Sequence, residues 1–219
     1  MRVDARRNAE KLRAAAAELF QERGLQVSLK EIARRAGVSH GTLYNLFGTR
    51  EALIDEVVTD RAAGRLDEAA QQALDCEDAW EGFAHYVMRL CELQATDPVV
   101  ADVVGGRYPG AERLMDACGR SMDAARRIVE RAREAGVLRP DFGHADLVFA
   151  LTANALLARA TAEAVPDAWR RQALFLLDGL RTRAVRDLLP ADEVTRRQVR
   201  DALEGPARPP HPPSPHSGV

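Results

Sequence analysis

Residues 28–47 read SLKEIARRAGVSHGTLYNLF. Two short helices joined by a glycine turn need a small residue where they cross, a residue free to take positive φ at the turn, and apolar anchors on the second helix. Ala33, Gly37 and Leu43 fall at those places in that order, Val38 plugs the turn, and Leu29, Ile32, Leu46 and Phe47 complete a small core. This is helix-turn-helix spacing. It leaves Thr42, Tyr44 and Asn45 over: a hydroxyl, a phenol and a carboxamide that the core does not need. In a helix-turn-helix the second helix enters the DNA major groove, where short polar side chains reach base edges or phosphates. Gly41 lets the backbone come close. Any two-helix corner can carry Ala-x3-Gly-x5-Leu, so the flanks have to decide.

Ser28 and Ser39 each stand just ahead of an apolar-periodic run, the place of a helix N-cap. Ser28-Leu29-Lys30-Glu31 fits a capping box, the serine oxygen accepting from the Glu31 amide and the Glu31 carboxylate returning to the Ser28 amide. The helix after Ser39, closed by Gly48 and Thr49, is too short to persist unless packed. Upstream, a helix from about Ala5 to Glu22 puts Ala9, Leu12, Ala16, Leu19 and Phe20 on one face and stops at Gly24. Downstream, a long helix from about Arg50 to Ala73 leads into others near 79–96, 98–105, 109–135, 144–164 and 167–189, the last broken by Pro190. Period-two alternation of β-branched residues is almost missing, so the expected fold class is all-α. Near the C-terminus, Val194, Val199, Ala202 and Leu203 suggest one short helix, and residues 206–219, with six prolines, are too poor in apolar side chains to repay ordering.

The net charge of −2 conceals a gradient. Residues 1–50 carry ten Lys and Arg against five Asp and Glu, and the remainder carries twenty-one against twenty-eight. A positive module on an acidic body points the first fifty residues toward a polyanion. Cys76, Cys91 and Cys118 show no CxxC or Cys/His ligand spacing, which suits reduced thiols and gives no metal site. No apolar run approaches a membrane span, and the N-terminus lacks a signal-peptide core, so the expected location is the cytoplasm. No glycine-rich phosphate loop, nucleophile elbow or metal motif gathers the Ser, His and Asp residues, so no enzyme activity and no cofactor are expected.

Residues 10–54 as a block, EKLRAAAAELFQERGLQVSLKEIARRAGVSHGTLYNLFGTREALI, closely resemble the DNA-binding domain of TetR-family transcriptional regulators. Further on, GVLRPDFGHADLVFAL and DAWRRQALFLLDGLRTRA resemble a C-terminal type frequent among actinobacterial members. The resemblance implies a three-helix helix-turn-helix domain (1–50) joined by helix four to an α-helical ligand-binding and dimerisation domain (51–190), with residues 191–219 as an appendage. It implies a homodimeric repressor on a palindromic operator in double-stranded DNA, released by a small-molecule inducer. A regulator of this fold acting through protein partners is the alternative.

Carried over residue by residue, the resemblance implies that Ser28 and Tyr44 hold phosphates, that Ser39, His40, Gly41, Thr42 and Asn45 face the groove, and that Arg50 meets a phosphate near the start of helix four. The chain departs from the family's habits in three places. Position 50 is more often lysine, His40 stands where lysine, arginine or proline is common, and Leu46 replaces a frequent histidine. Ala150, Ala153, Asn154 and Leu157, with Ala173, Leu176, Leu177 and Leu180, supply faces suited either to a four-helix dimer bundle or to the chain's own core. Phe83, Val87, Cys91, Met115, Met122, Phe149 and Asn154 are the expected lining of an inducer pocket, with His85 and Tyr86 as sources of polarity, and an apolar or aromatic inducer fits that lining.

Overall fold

The computed structural model describes residues 2–106 and 108–182. Among them run nine helices and no β-strand: α1 (Arg2–Arg23), α2 (Leu29–Ala36), α3 (His40–Phe47), α4 (Arg50–Asp75), α5 (Ala79–Thr96), α6 (Pro98–Gly105), α7 (Glu112–Glu134), α8 (His144–Thr161) and α9 (Ala168–Leu180). Side-chain caps start five of them: Ser28, Ser39, Thr49, Asp78 and Asp97 each accept a backbone N–H of the turn that follows. Pro98, with no N–H to satisfy, takes the first position of α6.

One helix boundary needs correction. The helix expected over 167–189, α9, ends at Leu180. Arg181 turns to extended backbone (φ −67, ψ 131), and a bridge to Leu138 takes over: Arg139 N–H donates to the Leu180 carbonyl at 3.0 Å and Thr182 N–H to that of Val137 at 2.9 Å. These bonds between distant segments satisfy groups that further helix would have paired internally. The short helix near Val199 and the proline-rich segment lie outside the described residues. The α8 and α9 faces, open between a dimer bundle and the chain's own core, divide. Asn154, Ala173, Leu177 and Leu180 are buried in the chain's own core, because α5 packs against both helices. Outside lie Ala153 and the large apolar groups Leu156, Val165, Leu174 and Phe175.

One buried apolar cluster runs through the molecule, from Leu12, Leu19, Phe20, Ile32 and Leu43 through Leu53, Ile54 and Leu66 on α4 to Phe83, Val87 and Leu147. Polar clamps tie its two ends. Asp55 on α4 caps α7 from outside, accepting from Leu114 N–H at 2.8 Å and Arg113 N–H at 3.3 Å. Arg131 on α7 answers at the other end of α4, donating to the carbonyls of Ala73, Leu74, Cys76 and Glu77, orphan acceptors of a helix C-terminus.

Asp102 on α6 reaches the α1–α2 turn: its Oδ2 accepts from Leu25 N–H at 2.7 Å and its Oδ1 from Arg159 of α8 at 3.0 Å. The approach is so close that a Cβ on Gly24 would collide with the carboxylate, and Gly24 also holds φ +75. Only glycine meets both demands.

Candidate nucleic-acid interface

The α2–α3 corner is built by local rules. The Ser28 Oγ accepts from Glu31 N–H at 3.2 Å, while the Glu31 carboxylate is engaged by Arg23 at 2.7 Å and Arg34 at 3.6 Å. Gly37 takes the left-handed conformation (φ 66, ψ 33) as C-cap of α2, and Val38 N–H closes on the Ala33 carbonyl at 3.0 Å. Ser39 then caps α3, its Oγ 3.1 Å from Thr42 N and 2.8 Å from Thr42 Oγ1. Leu43 is fully buried, and Leu46 and Phe47 are half-buried against the same core, Leu46 where the sequence reading puts it.

What remains on α3 faces outward. Gly41, Tyr44 and Asn45 are exposed, and Thr42 is partly so. Tyr44 is held without being buried: its ring meets that of His40 edge-to-face, centroids 4.8 Å apart at 82°. Ser28, Ser39, His40, Gly41, Thr42, Tyr44 and Asn45 therefore share one end of the molecule, with Ser28 and Ser39 spending an acceptor on their caps. Arg50 is also there, but half-buried, its guanidinium donating to the Val27 carbonyl at 2.5 Å. Arg35, a candidate source of phosphate attraction, is taken by α1: Glu22 at 3.3 Å and Glu18 at 3.4 Å hold it, and the Glu22 hydrogen bond first of all raises its pKa. Arg34 and Lys30 stay in solvent.

The seven residues expected to line an inducer pocket do not all face inward. Phe83, Val87, Cys91 and Asn154 are buried between α5, α8 and their neighbours, and Phe149 is half-buried. Burial pushes the Cys91 thiol up to about 12. Met115 and Met122 are 43% and 48% exposed, a correction with a simple cause. The buried stripe of α7 is Leu114, Ala117, Ala125, Ile128, Val129 and Ala132, and the two methionines, seven residues apart, lie together on its other side. His85 is also outside, its Nε2 3.1 Å from Gln72 Oε1, whereas Tyr86 is buried and its hydroxyl raised to about 12 by that burial. An open groove of about 450 Å³ between α5 and α9, lined by Trp80, Ala84, His85, Met88 and Leu174 among others, takes none of the seven.

The sequence reading missed Asp102, Arg159 and Gln94. Asp102 is the one acid inside the apolar run PVVADVVG, and Gln94 falls at i+4 from Leu90 and i+3 from Cys91, a buried position by periodicity. Each was a polar residue in an apolar place.

A capped helix-turn-helix with a polar outer row, carried on a larger helical body, defines a helix-turn-helix transcriptional regulator. Residues 12–57 match the family model for bacterial regulatory proteins of the tetR family, and residues 75–182 match the C-terminal domain of SbtR-like transcriptional regulators. The solved TetR transcriptional regulator SCO0520 from Streptomyces coelicolor is 30% identical, with 80% of this chain and 99% of that one covered at a TM-score of 0.50. The chain belongs to the TetR family. The regulatory protein RaaS of Mycobacterium tuberculosis is 26% identical over 130 residues, 59% of each chain. This chain spans less than two thirds of the length of the curated relatives it matches. RolR in complex with resorcinol shares the fold at 20% identity and a TM-score of 0.53, covering 94% of this chain and 97% of its own. Among the described residues no helix is long and apolar enough to cross a membrane.

Proposed function

We propose that the chain is a homodimeric repressor that binds a palindromic operator in double-stranded DNA and releases it when a small apolar or aromatic inducer enters its body. The observation that carries this is a pair of unused faces. On α3 the exposed Tyr44 and Asn45 leave the core nothing to gain from their polarity, and on α8 and α9 Leu156, Leu174 and Phe175 stand 65%, 54% and 60% exposed. The first face suits a duplex groove; the second suits a copy of itself, with α8 and α9 of two protomers forming a four-helix bundle. A twofold axis through that bundle sets two α3 helices on half-sites about 34 Å apart or a multiple of it.

In this reading residues 1–50 read DNA in the cytoplasm, residues 51–190 bind inducer and partner, and α4 couples them. Ser28 and Tyr44 hold phosphates, Arg50 turns from the Val27 carbonyl to a third, and Ser39, His40, Gly41, Thr42 and Asn45 face bases. Inducer binding favours a state with the wrong half-site spacing, so affinity for DNA falls by the same factor as affinity for inducer falls on DNA. RolR, which holds resorcinol on the same fold, supports a small aromatic inducer.

The test is titration of the purified protein against its own upstream DNA beside a scrambled duplex, at two salt concentrations. Selective binding that weakens with salt is expected. Equal weak binding to both duplexes overturns the operator at that place and favours a protein partner. Gel filtration of Leu156→Asp with Phe175→Asp checks the second face: it should give a folded monomer that has lost operator affinity.

A further inference from the structure

We infer that Gln94 and Asn154 form the polar end of a ligand site in the seam between α5 and α8, and that its ligand is an uncharged molecule presenting a hydroxyl on an apolar or aromatic body. The inference deepens the reading of a ligand-responsive regulator and rests on it. Gln94 is 5% exposed and Asn154 4%. Between them they make one hydrogen bond, from Asn154 Nδ2 to Gln94 Oε1 at 3.3 Å. Gln94 Nε2 and Asn154 Oδ1 are left buried with no hydrogen-bond partner. Turning both amides over exchanges the atoms that bond but still leaves one NH2 and one carbonyl oxygen, so the deficit belongs to the pair and not to an assignment of atoms.

Leaving a buried donor and acceptor unmet is costly, whereas two apolar side chains of the same shape would cost nothing. The pair is therefore poor cement and a good receptor: a free donor beside a free acceptor matches a hydroxyl, which accepts from one and donates to the other. The walls decide the rest of the ligand. On α5 the positions one and two turns before Gln94 are Leu90, Cys91 and Val87, and on α8 the same face as Asn154 carries Leu147, Leu151 and Ala158, all buried. Charge is disfavoured. The walls are apolar, and one turn past Gln94 the buried Asp97 carboxylate and the arginines it draws, Arg61 at 3.5 Å and Arg65 at 3.8 Å, already answer one another, so a charged ligand would lie in the seam without a counter-charge.

The experiment uses matched probes of nearly equal shape: phenol against toluene, and 1-naphthol against 1-methylnaphthalene. Each is titrated calorimetrically into the full-length protein and into the Gln94→Leu/Asn154→Leu double variant. In the wild-type protein the hydroxyl member of at least one pair should bind on the order of tenfold more tightly, and in the double variant the preference should vanish. The double variant, relieved of unmet polar groups, should melt no earlier than the wild type. Should it melt early, Gln94→Met, which keeps the side-chain length, reads the same loss of preference. Equal affinity within every pair in the wild type, or a preference that survives the substitutions, overturns the inference. Operator release is scored separately. Release by these probes without dependence on Gln94 and Asn154 sinks this site and leaves the ligand-responsive regulator standing; discrimination without release does the opposite.

Discussion

The helix-turn-helix and the body behind it handle polarity in opposite ways. At the α2–α3 corner polar side chains serve their own neighbourhood: Ser28 caps three residues ahead, Ser39 does the same, and Tyr44 leans on His40 four residues back. In the body they act across the fold. Asp55 caps a helix that starts beyond residue 110, Arg131 closes α4 from 54 to 58 residues away, and Asn154 meets Gln94 across 60. A region that arranges itself locally can leave its outer face to an external partner. A region held by distant pairs has its polar groups inside, where they can couple one helix to another.

Substitutions can break or sharpen that contrast. The largest expected effect is Leu43→Ala, which empties the one fully buried position of α3. It should cost about 2–5 kcal/mol in urea unfolding and abolish operator binding. Intact binding would mean that α3 is held by something other than its core anchor. Arg131→Met strips the donor from four carbonyls at the end of α4 and should cost about 1–3 kcal/mol, water supplying part of the loss because the site is only half-buried. DNA affinity per folded molecule should not change.

Tyr44→Ala should reverse that pattern, with operator affinity lower by about 1–3 kcal/mol, roughly 5- to 150-fold, and a urea midpoint unmoved. A shifted midpoint would mean that Tyr44 is structural. Gly37→Ala meets no atom within 4 Å of the added carbon, so strain at φ +66 is its whole cost, about 1–2 kcal/mol in the same urea assay. At neutral pH the smallest effect is that of Cys91. Its thiol is raised to about 12 from the ordinary value of 9.0, so the folded state retains a proton that the unfolded chain loses first. Its contribution is complete below about pH 9 and declines as pH rises toward 12, visible as a falling melting temperature that Cys91→Ala removes. Thiol labelling at pH 8 should reach the partly exposed Cys76 well before Cys91.

The contrast also explains what the sequence disclosed. The caps at Ser28 and Ser39, the left-handed Gly37 and the buried Leu43 follow from spacing within ten residues, and all stand where spacing put them. The helix starts near residues 50, 79, 98 and 144 also stand where the sequence reading put them. Met115 was misjudged because an apolar side chain says nothing about which side of α7 faces the body. The end of α9 was misjudged because the bridge to Leu138 comes from more than forty residues away. Gln94 and Asp102 escaped notice for the same reason: their partners are far off in sequence.

The hook from Asp102 to the α1–α2 turn also sets an order of events during synthesis. Leu25 is made 77 residues before Asp102, and Arg159 follows a further 57 later. Until α6 has emerged and packed, the amide at that turn is answered only by water, and until α8 arrives the carboxylate that will hold it lacks its own counter-charge. The DNA-facing end is made before the two helices that finish it.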